Sequence, residues 1–165
     1  MAQSIALERL AARDITSENF KPYGQLIVPS REGKPYDSTD AQLNLSQGTP
    51  RFYIMCLNHR GLKFHQITRH RRCTQCLGSL QGKDWFIAVA PPGDGDKPEL
   101  DKIAAFCIPG NAFIKLERGT WHAGPYFEHD VVDFYNLELS DTNETDRFTH
   151  NFRKNEQLEF EIYRH

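Results

Sequence analysis

The apolar positions of this chain come in short bursts set between turn-forming residues. Asp84 to Ala90 (DWFIAVA) is the strongest burst of strand length, and Val131 to Leu139 (VVDFYNLEL) alternates along its length, so both predict β-strands. Phe52 to Leu57 (FYIMCL) reads as a buried strand, and Gln25 to Val28, Leu62 to Thr68 and Leu158 to Tyr163 as further ones. Ala104 to Ile108 and Asn111 to Leu116 read as a strand pair joined by a turn at Pro109-Gly110. The first fifteen residues have an irregular period that fits a strand or a short helix. Thr16 or Ser17 can cap a brief helical turn, which Pro22 limits. Two stretches rich in Pro, Gly, Ser and Asp, PSREGKPYDSTDAQ and PPGDGDKPELDKI, mark loops. Many short strands with only brief helices favour an all-β barrel or sandwich over a βαβ architecture.

The chain has 165 residues, which fits one domain over 1–165 with enough surface to bury and no need of staples. Its 20 basic and 22 acidic side chains leave a formal charge of -2, which gives no long-range attraction to nucleic acid or anionic lipid. No apolar run reaches the ~18 residues of a membrane span, and MAQSIALERLAARD has charges where a secretory signal has its apolar core. These features predict a chain in the cytoplasm or in a reducing organelle lumen. The four cysteines (Cys56, Cys73, Cys76, Cys107) accordingly read as thiols rather than a disulfide framework.

Chemistry concentrates in Phe64 to Pro92 and in GTWHAGPYF, Gly119 to Phe127. His70 and His122 are the leading candidates, because imidazole serves as acid, base or metal ligand near neutral pH. The alternative for each is a hydrogen-bonded interior ring. His65 stands an odd number of residues before His70, which on one strand turns it to the opposite face. His59, His129, His150 and His165 fall in loop or terminal contexts and read as solvated. Asp133, flanked by apolar residues, can orient an imidazole or act as a base, or else pair with an arginine at a barrel rim. Arg69 and Arg51 can clamp a carboxylate, Gln75 can bind substrate, and Trp121 and Tyr126 can wall a cavity or fill core. His70, His122 and Gln75 are the candidate ligands of a weakly bound divalent metal. Only two of them are good donors, fewer than a tight site uses. His70, Cys73 and Cys76 also have a spacing a zinc site can use, without a second cluster to complete it. A Gly-rich phosphate loop, a nucleophile elbow and a dinucleotide fingerprint are all missing, so phosphoryl transfer, serine hydrolysis and hydride transfer have no support.

The stretch from Thr68 to Gly82 resembles the metal-binding motif of cupin barrels, His-x-His-x4-Glu-x6-Gly, with Thr68 and Gln75 in place of the first histidine and the glutamate. Gly119-x-x-His122 resembles the core of the second cupin motif. Together with PYGQLI, GDGDKPELDKIAAF, the Trp121-His122 pair and VVDF, these residues make most of the chain similar to the ureidoglycolate lyase family. That resemblance implies an all-β, cupin-like β-barrel (double-stranded β-helix or jelly roll) with short peripheral helices, acting as a homodimer. It also implies the last step of allantoin breakdown, the cleavage of ureidoglycolate into glyoxylate and urea. The chain departs from the family's common pattern at Thr68, Tyr53, Ile54, Gln81 and Ala123, where members carry ionisable side chains. Two expectations follow: a lyase using His70 and His122 with Asp133 as relay, or a non-catalytic cupin that binds a small carboxylate such as glyoxylate.

Overall fold

The computed structural model describes residues 1–165. In chain order its strands are β1 (Ala6–Asp14), β2 (Gly24–Ile27), β3 (Pro50–Asn58), β4 (Lys63–Phe64), β5 (Gln66–Arg69), β6 (Gln75–Ser79), β7 (Trp85–Ala90), β8 (Ala104–Ile108), β9 (Phe113–Leu116), β10 (Trp121–Tyr126), β11 (Val131–Leu139), β12 (Phe148–Asn151) and β13 (Leu158–Arg164). Two four-residue helices, α1 (Thr142–Thr145) and α2 (Phe152–Asn155), flank β12. No helix is long and apolar enough to cross a membrane.

The strands form an eight-stranded sheet, β12-β5-β10-β7-β8-β1-β13-β4, and a five-stranded sheet, β2-β9-β6-β11-β3. Strand β4 is one edge of the larger sheet and β5 lies next to β12 at the other edge, yet the two are separated in the chain only by His65. That connection curls the sheet back on itself. One apolar cluster, with Phe64, Ile67, Phe86, Trp121, Phe152 and Phe160 among its members, fills the inside of the curl. A second, including Leu77, Trp85, Phe106, Ile114, Val132 and Phe134, fills the space between the two sheets. Trp85 and Phe134 meet edge to face across that space at 5.1 Å, as aromatic quadrupoles favour. A curled sheet packed on a second sheet is the all-β, cupin-like architecture expected.

Four of the expected strands formed nearly residue for residue: β7, β8, β11 and β13. Three expectations need correction. Phe52–Leu57 lies in β3 as expected of a strand, but β3 is the edge of the smaller sheet and not buried, with Phe52 69% and Ile54 60% exposed. The Ala104–Ile108 and Asn111–Leu116 segments do not pair, since β8 belongs to the larger sheet and β9 to the smaller, and Pro109-Gly110 carries the chain between them. Gly110 is needed there because a Cβ would lie 2.0 Å from the backbone carbon of Gly82. The single strand expected over Leu62 to Thr68 is broken at His65 into β4 and β5. Residues 6–14, undecided from sequence, form a strand held on both sides by parallel neighbours, β13 and β8. The expected helical turn is a capped turn, in which Thr16 Oγ1 accepts from Asn19 N and Asn19 Oδ1 accepts from Thr16 N.

Candidate functional site

Strands β3, β6 and β11 of the smaller sheet face β5 and β10 of the larger across a cavity of about 310 Å³. Alternation decides what enters it. On β11, Val132, Phe134, Asn136 and Glu138 are buried on the inner face while the residues between them turn outward. On β5, Thr68 lines the cavity, and it pairs directly with His122 on β10.

His70 and His122 both line the cavity, with ring centroids 5.1 Å apart and planes inclined by 53°. His70 Nδ1 lies 2.6 Å from the carbonyl oxygen of Asp146. A carbonyl only accepts, so Nδ1 carries a hydrogen, and in the neutral ring Nε2 is the nitrogen with the free lone pair. The Asp146 carboxylate is itself fixed by the backbone N–H groups of Arg71 and Arg72, at 2.9 and 2.8 Å. His122 Nδ1 makes a longer contact of the same kind, 3.5 Å to Thr120 O. Burial, reinforced by the neighbouring His70 ring, pushes the His122 pKa down to about 3. His122 is therefore uncharged at neutral pH.

The opposite wall is a polar network. Glu138 is only 1% exposed and accepts from the Tyr53 hydroxyl (3.0 Å), Gln75 Nε2 (3.3 Å) and Asn143 Nδ2 (3.4 Å), all neutral donors. Gln75 Nε2 also donates to Asn136 Oδ1 at 3.0 Å, and Asn136 Nδ2 donates to Tyr53 Oη at 3.0 Å and to Met55 Sδ at 3.6 Å. Burial raises the Tyr53 pKa, which keeps its hydroxyl a donor. Arg60 and Arg147 complete the lining as exposed cations. Arg60 is steadied by Pro125 O at 2.9 Å and by the Tyr126 ring, 5.1 Å away.

Of the residues singled out from sequence, His70, His122, Gln75 and Tyr126 line this cavity. Asp133 does not. It sits an odd number of residues from Glu138 and shares the outer face of β11 with Cys56, its register partner. Arg69 and Trp121 stack on each other at 4.3 Å on the far side of the larger sheet, where Arg69 also donates to Gly93 O at 3.4 Å. Their neighbours Thr68 and His122 occupy the cavity face instead. Arg51 is exposed and lies over the Tyr53 ring at 3.7 Å, outside the lining. His150 is not solvated but 9% exposed, with Nε2 2.9 Å from Glu156, away from the cavity. Sequence reasoning missed Glu138, Asn136, Asn143, Arg60 and Arg147, and marked Tyr53 only as a departure from the family pattern. For Glu138 and Asn136 the signal was available, because the alternation of VVDFYNLEL puts them on one face with Phe134.

All four cysteines are free thiols. Cys73 contacts Thr142 Oγ1 at 3.5 Å, and burial pushes the Cys76 pKa up to about 12. No group of three or more His, Cys, Asp or Glu side chains is arranged to hold a metal ion. In the cavity the strongest potential ligands are the two imidazoles and the Glu138 carboxylate, and that carboxylate is already engaged by Tyr53, Gln75 and Asn143, which leaves a sparse set for a divalent cation.

The family model described as ureidoglycolate lyase matches residues 7–159. The chain belongs to the ureidoglycolate lyase family. It is 26% identical over 127 residues to the ureidoglycolate lyase of Azotobacter vinelandii, covering 68% of this chain and 74% of that one. It is 29% identical over 85 residues to the Escherichia coli protein of the same name, covering 52% of each, so that match spans about half of the relative. Among solved structures, RmlC from Streptococcus suis in complex with dTDP-D-xylose matches with a TM-score of 0.38 and 13% identity, over 54% of this chain and 43% of that one. Against the common pattern of the ureidoglycolate lyase family, the substituted positions Thr68, Tyr53 and Ala123 line the cavity, whereas Ile54 is exposed on the outer face and Gln81 occupies a turn at φ 63°.

Proposed function

We propose that this protein is a ureidoglycolate lyase, splitting ureidoglycolate into glyoxylate and urea in allantoin catabolism. The observation that carries the reading is the pair of imidazoles 5.1 Å apart in one cavity, in a chain of this family. Ureidoglycolate is a carbinol urea, and its cleavage moves one proton from oxygen to nitrogen. His70 Nε2 takes the hydroxyl proton, the oxygen electron pair becomes the aldehyde C=O, and the C–N bond breaks. The departing urea nitrogen then takes the proton back from the His70 imidazolium, so one shuttle completes the balance. Arg147 and Arg60 hold the carboxylate, since Arg69 and Arg51 lie outside the cavity lining. His122 accepts hydrogen bonds as a neutral ring and keeps a second positive charge away from His70. None of these steps passes through a metal.

The test is incubation of the purified protein with ureidoglycolate, following both urea and glyoxylate. Turnover that falls at least ~100-fold in His70→Ala supports the assignment, in line with general acid-base catalysis. Wild-type rates in that variant would overturn the role of His70. Thermal stabilisation by glyoxylate with no turnover of ureidoglycolate would replace the enzyme with a carboxylate-binding protein.

A further inference from the structure

His70 stands just past the end of β5, in the turn that leads to β6, so the strand ladder does not hold it. The last pair of that ladder is Arg69 with Phe148 on β12. Beyond it Asp146 takes over, gripping the turn twice. Its carbonyl oxygen lies 2.6 Å from His70 Nδ1, and its carboxylate accepts from the backbone N–H groups of the next two residues, Arg71 at 2.9 Å and Arg72 at 2.8 Å. Hydrogen bonds to a charged acceptor are about twice as strong as neutral ones, and Asp146 is only 2% exposed, so water does not compete for them. The His70 carbonyl is held in turn by Gly119 N at 2.7 Å. Farther along, the Arg72 guanidinium reaches Asp141 Oδ2 at 3.1 Å and Thr145 Oγ1 at 3.0 Å. The turn and the β11–β12 connection, residues 140–147, are therefore fastened to each other at both ends. That connection also delivers Arg147, the residue after Asp146, to the cavity lining.

We infer that Asp146 is a positioning residue of this site. It fixes the His70 ring, leaving Nε2 as the free nitrogen, and sets the distance between that nitrogen and the Arg147 guanidinium. This rests on the reading that His70 moves the proton and Arg147 holds the carboxylate. In ureidoglycolate the hydroxyl and the carboxylate sit on the same carbon, so base and cation must be held at one spacing. A misplacement of about 1 Å at such a site can cost ~100-fold in rate. Asp146 is not part of the cavity lining. It acts through two residues that are, on His70 through its carbonyl and the turn its carboxylate grips, and on Arg147 through the peptide they share.

Two variants make the test. Asp146→Ala removes both carboxylate bonds, while Asp146→Asn keeps the volume and one acceptor oxygen but turns an NH2 group on a backbone N–H. Nitrogen-15 spectra of the imidazole rings, recorded on the free protein, read the His70 tautomer without any substrate, and the His70 signals are those lost in His70→Gln. In the wild-type protein the neutral ring is the Nδ1–H tautomer throughout, with its N–H protected from solvent exchange. In Asp146→Ala it becomes a mixture of tautomers with a rapidly exchanging N–H, and Asp146→Asn falls between. With ureidoglycolate, kcat falls about tenfold or more in Asp146→Ala and less in Asp146→Asn, measured at a temperature where circular dichroism shows each variant folded. A residue with a purely structural role would lower the melting temperature and leave both the ring spectrum and kcat unchanged. That result overturns the inference, as does a loosened ring with undiminished kcat. If Asp146→Ala does not fold, Asp146→Asn decides by the same two readouts. The lyase reading fails separately: a loosened ring in a protein that never turns over ureidoglycolate removes the reaction and keeps the hold on His70, and turnover with an unmoved ring does the reverse.

Discussion

Replacing His122 with glutamine tests the electrostatic character of the cavity without reference to any substrate. The ring's pKa falls from 6.5 to about 3, with burial as the main cause, the His70 ring next, and Arg147 adding to the same effect. Between those two values the unfolded chain binds a proton that the folded chain refuses. The stability contributed by the neutral ring is therefore complete above pH 6.5 and is lost progressively as pH falls towards 3. Each pH unit inside that window corresponds to ~1.4 kcal/mol. Moving from pH 7 to pH 5 should cost about 2 kcal/mol through this group alone. The assay is urea unfolding followed by tryptophan fluorescence at both pH values and fixed ionic strength. Every other residue is common to the two proteins, so the double difference reports the change at position 122. His122→Gln should lose about 2 kcal/mol less than wild type on acidification, a midpoint difference of about 1 M urea for a typical slope. Parallel losses in the two proteins would refute the claim that the fold holds this imidazole uncharged.

The other expectations are simpler. Arg147→Ala should raise the KM for ureidoglycolate about tenfold or more, the worth of a charge-assisted hydrogen bond, with a smaller change in kcat. Arg69→Met, on the far side of the larger sheet, should lower the melting temperature and leave both constants nearly unchanged; a KM effect equal to that of Arg147→Ala would contradict the placement of Arg69 outside the cavity. Gly110→Ala forces a Cβ to within 2.0 Å of the Gly82 backbone, which no side-chain motion relieves. It should cost at least the ~1–3 kcal/mol of overpacking, or roughly 5 °C of melting temperature for a domain of this size, and calorimetry showing no shift would count against the close approach of these two turns.

Much of the fold was legible because strands such as β7 and β11 announce themselves by apolar content or strict alternation within a few residues. What stayed hidden is non-local. Residues 6–14 are mostly exposed at their start and carry Glu8, Arg9 and Arg13, so their periodicity is weak, and they become a strand because β13 and β8 supply the hydrogen bonds. Pro109-Gly110 has the composition of a hairpin turn, and only the packing of two separate sheets shows that it crosses between them. At the site, motif spacing marks the two histidines, whereas only side-chain chemistry marks Arg69, Asp133 and Trp121. Strand parity sends all three away from the cavity. Arg60 and Arg147 gave no signal at all, because each reaches the lining from outside any strand.

The departures from the family pattern look at first like the dismantling of an active site, since Thr68, Tyr53 and Ala123 bring no strong acid, base or charge to the cavity. The geometry argues that little is needed. His122 cannot hold a proton near neutrality, and the carboxylate of Glu138 is occupied by Tyr53, Gln75 and Asn143, so in the proposed lyase reaction the hydroxyl proton goes to Nε2 of His70. In that proposed reaction cleavage returns the same proton to the leaving nitrogen, so it asks for one imidazole only. This makes the reaction unusually open to chemical rescue. In His70→Gly the removed ring leaves a gap beside the cavity, and free imidazole in the assay should restore part of the lost rate in a saturable manner, with the restored rate following the neutral fraction of the added base. His122→Gly should show no such rescue, since the ring it lacks never carried the proton. If imidazole restores the second variant and not the first, the shuttle has been assigned to the wrong histidine.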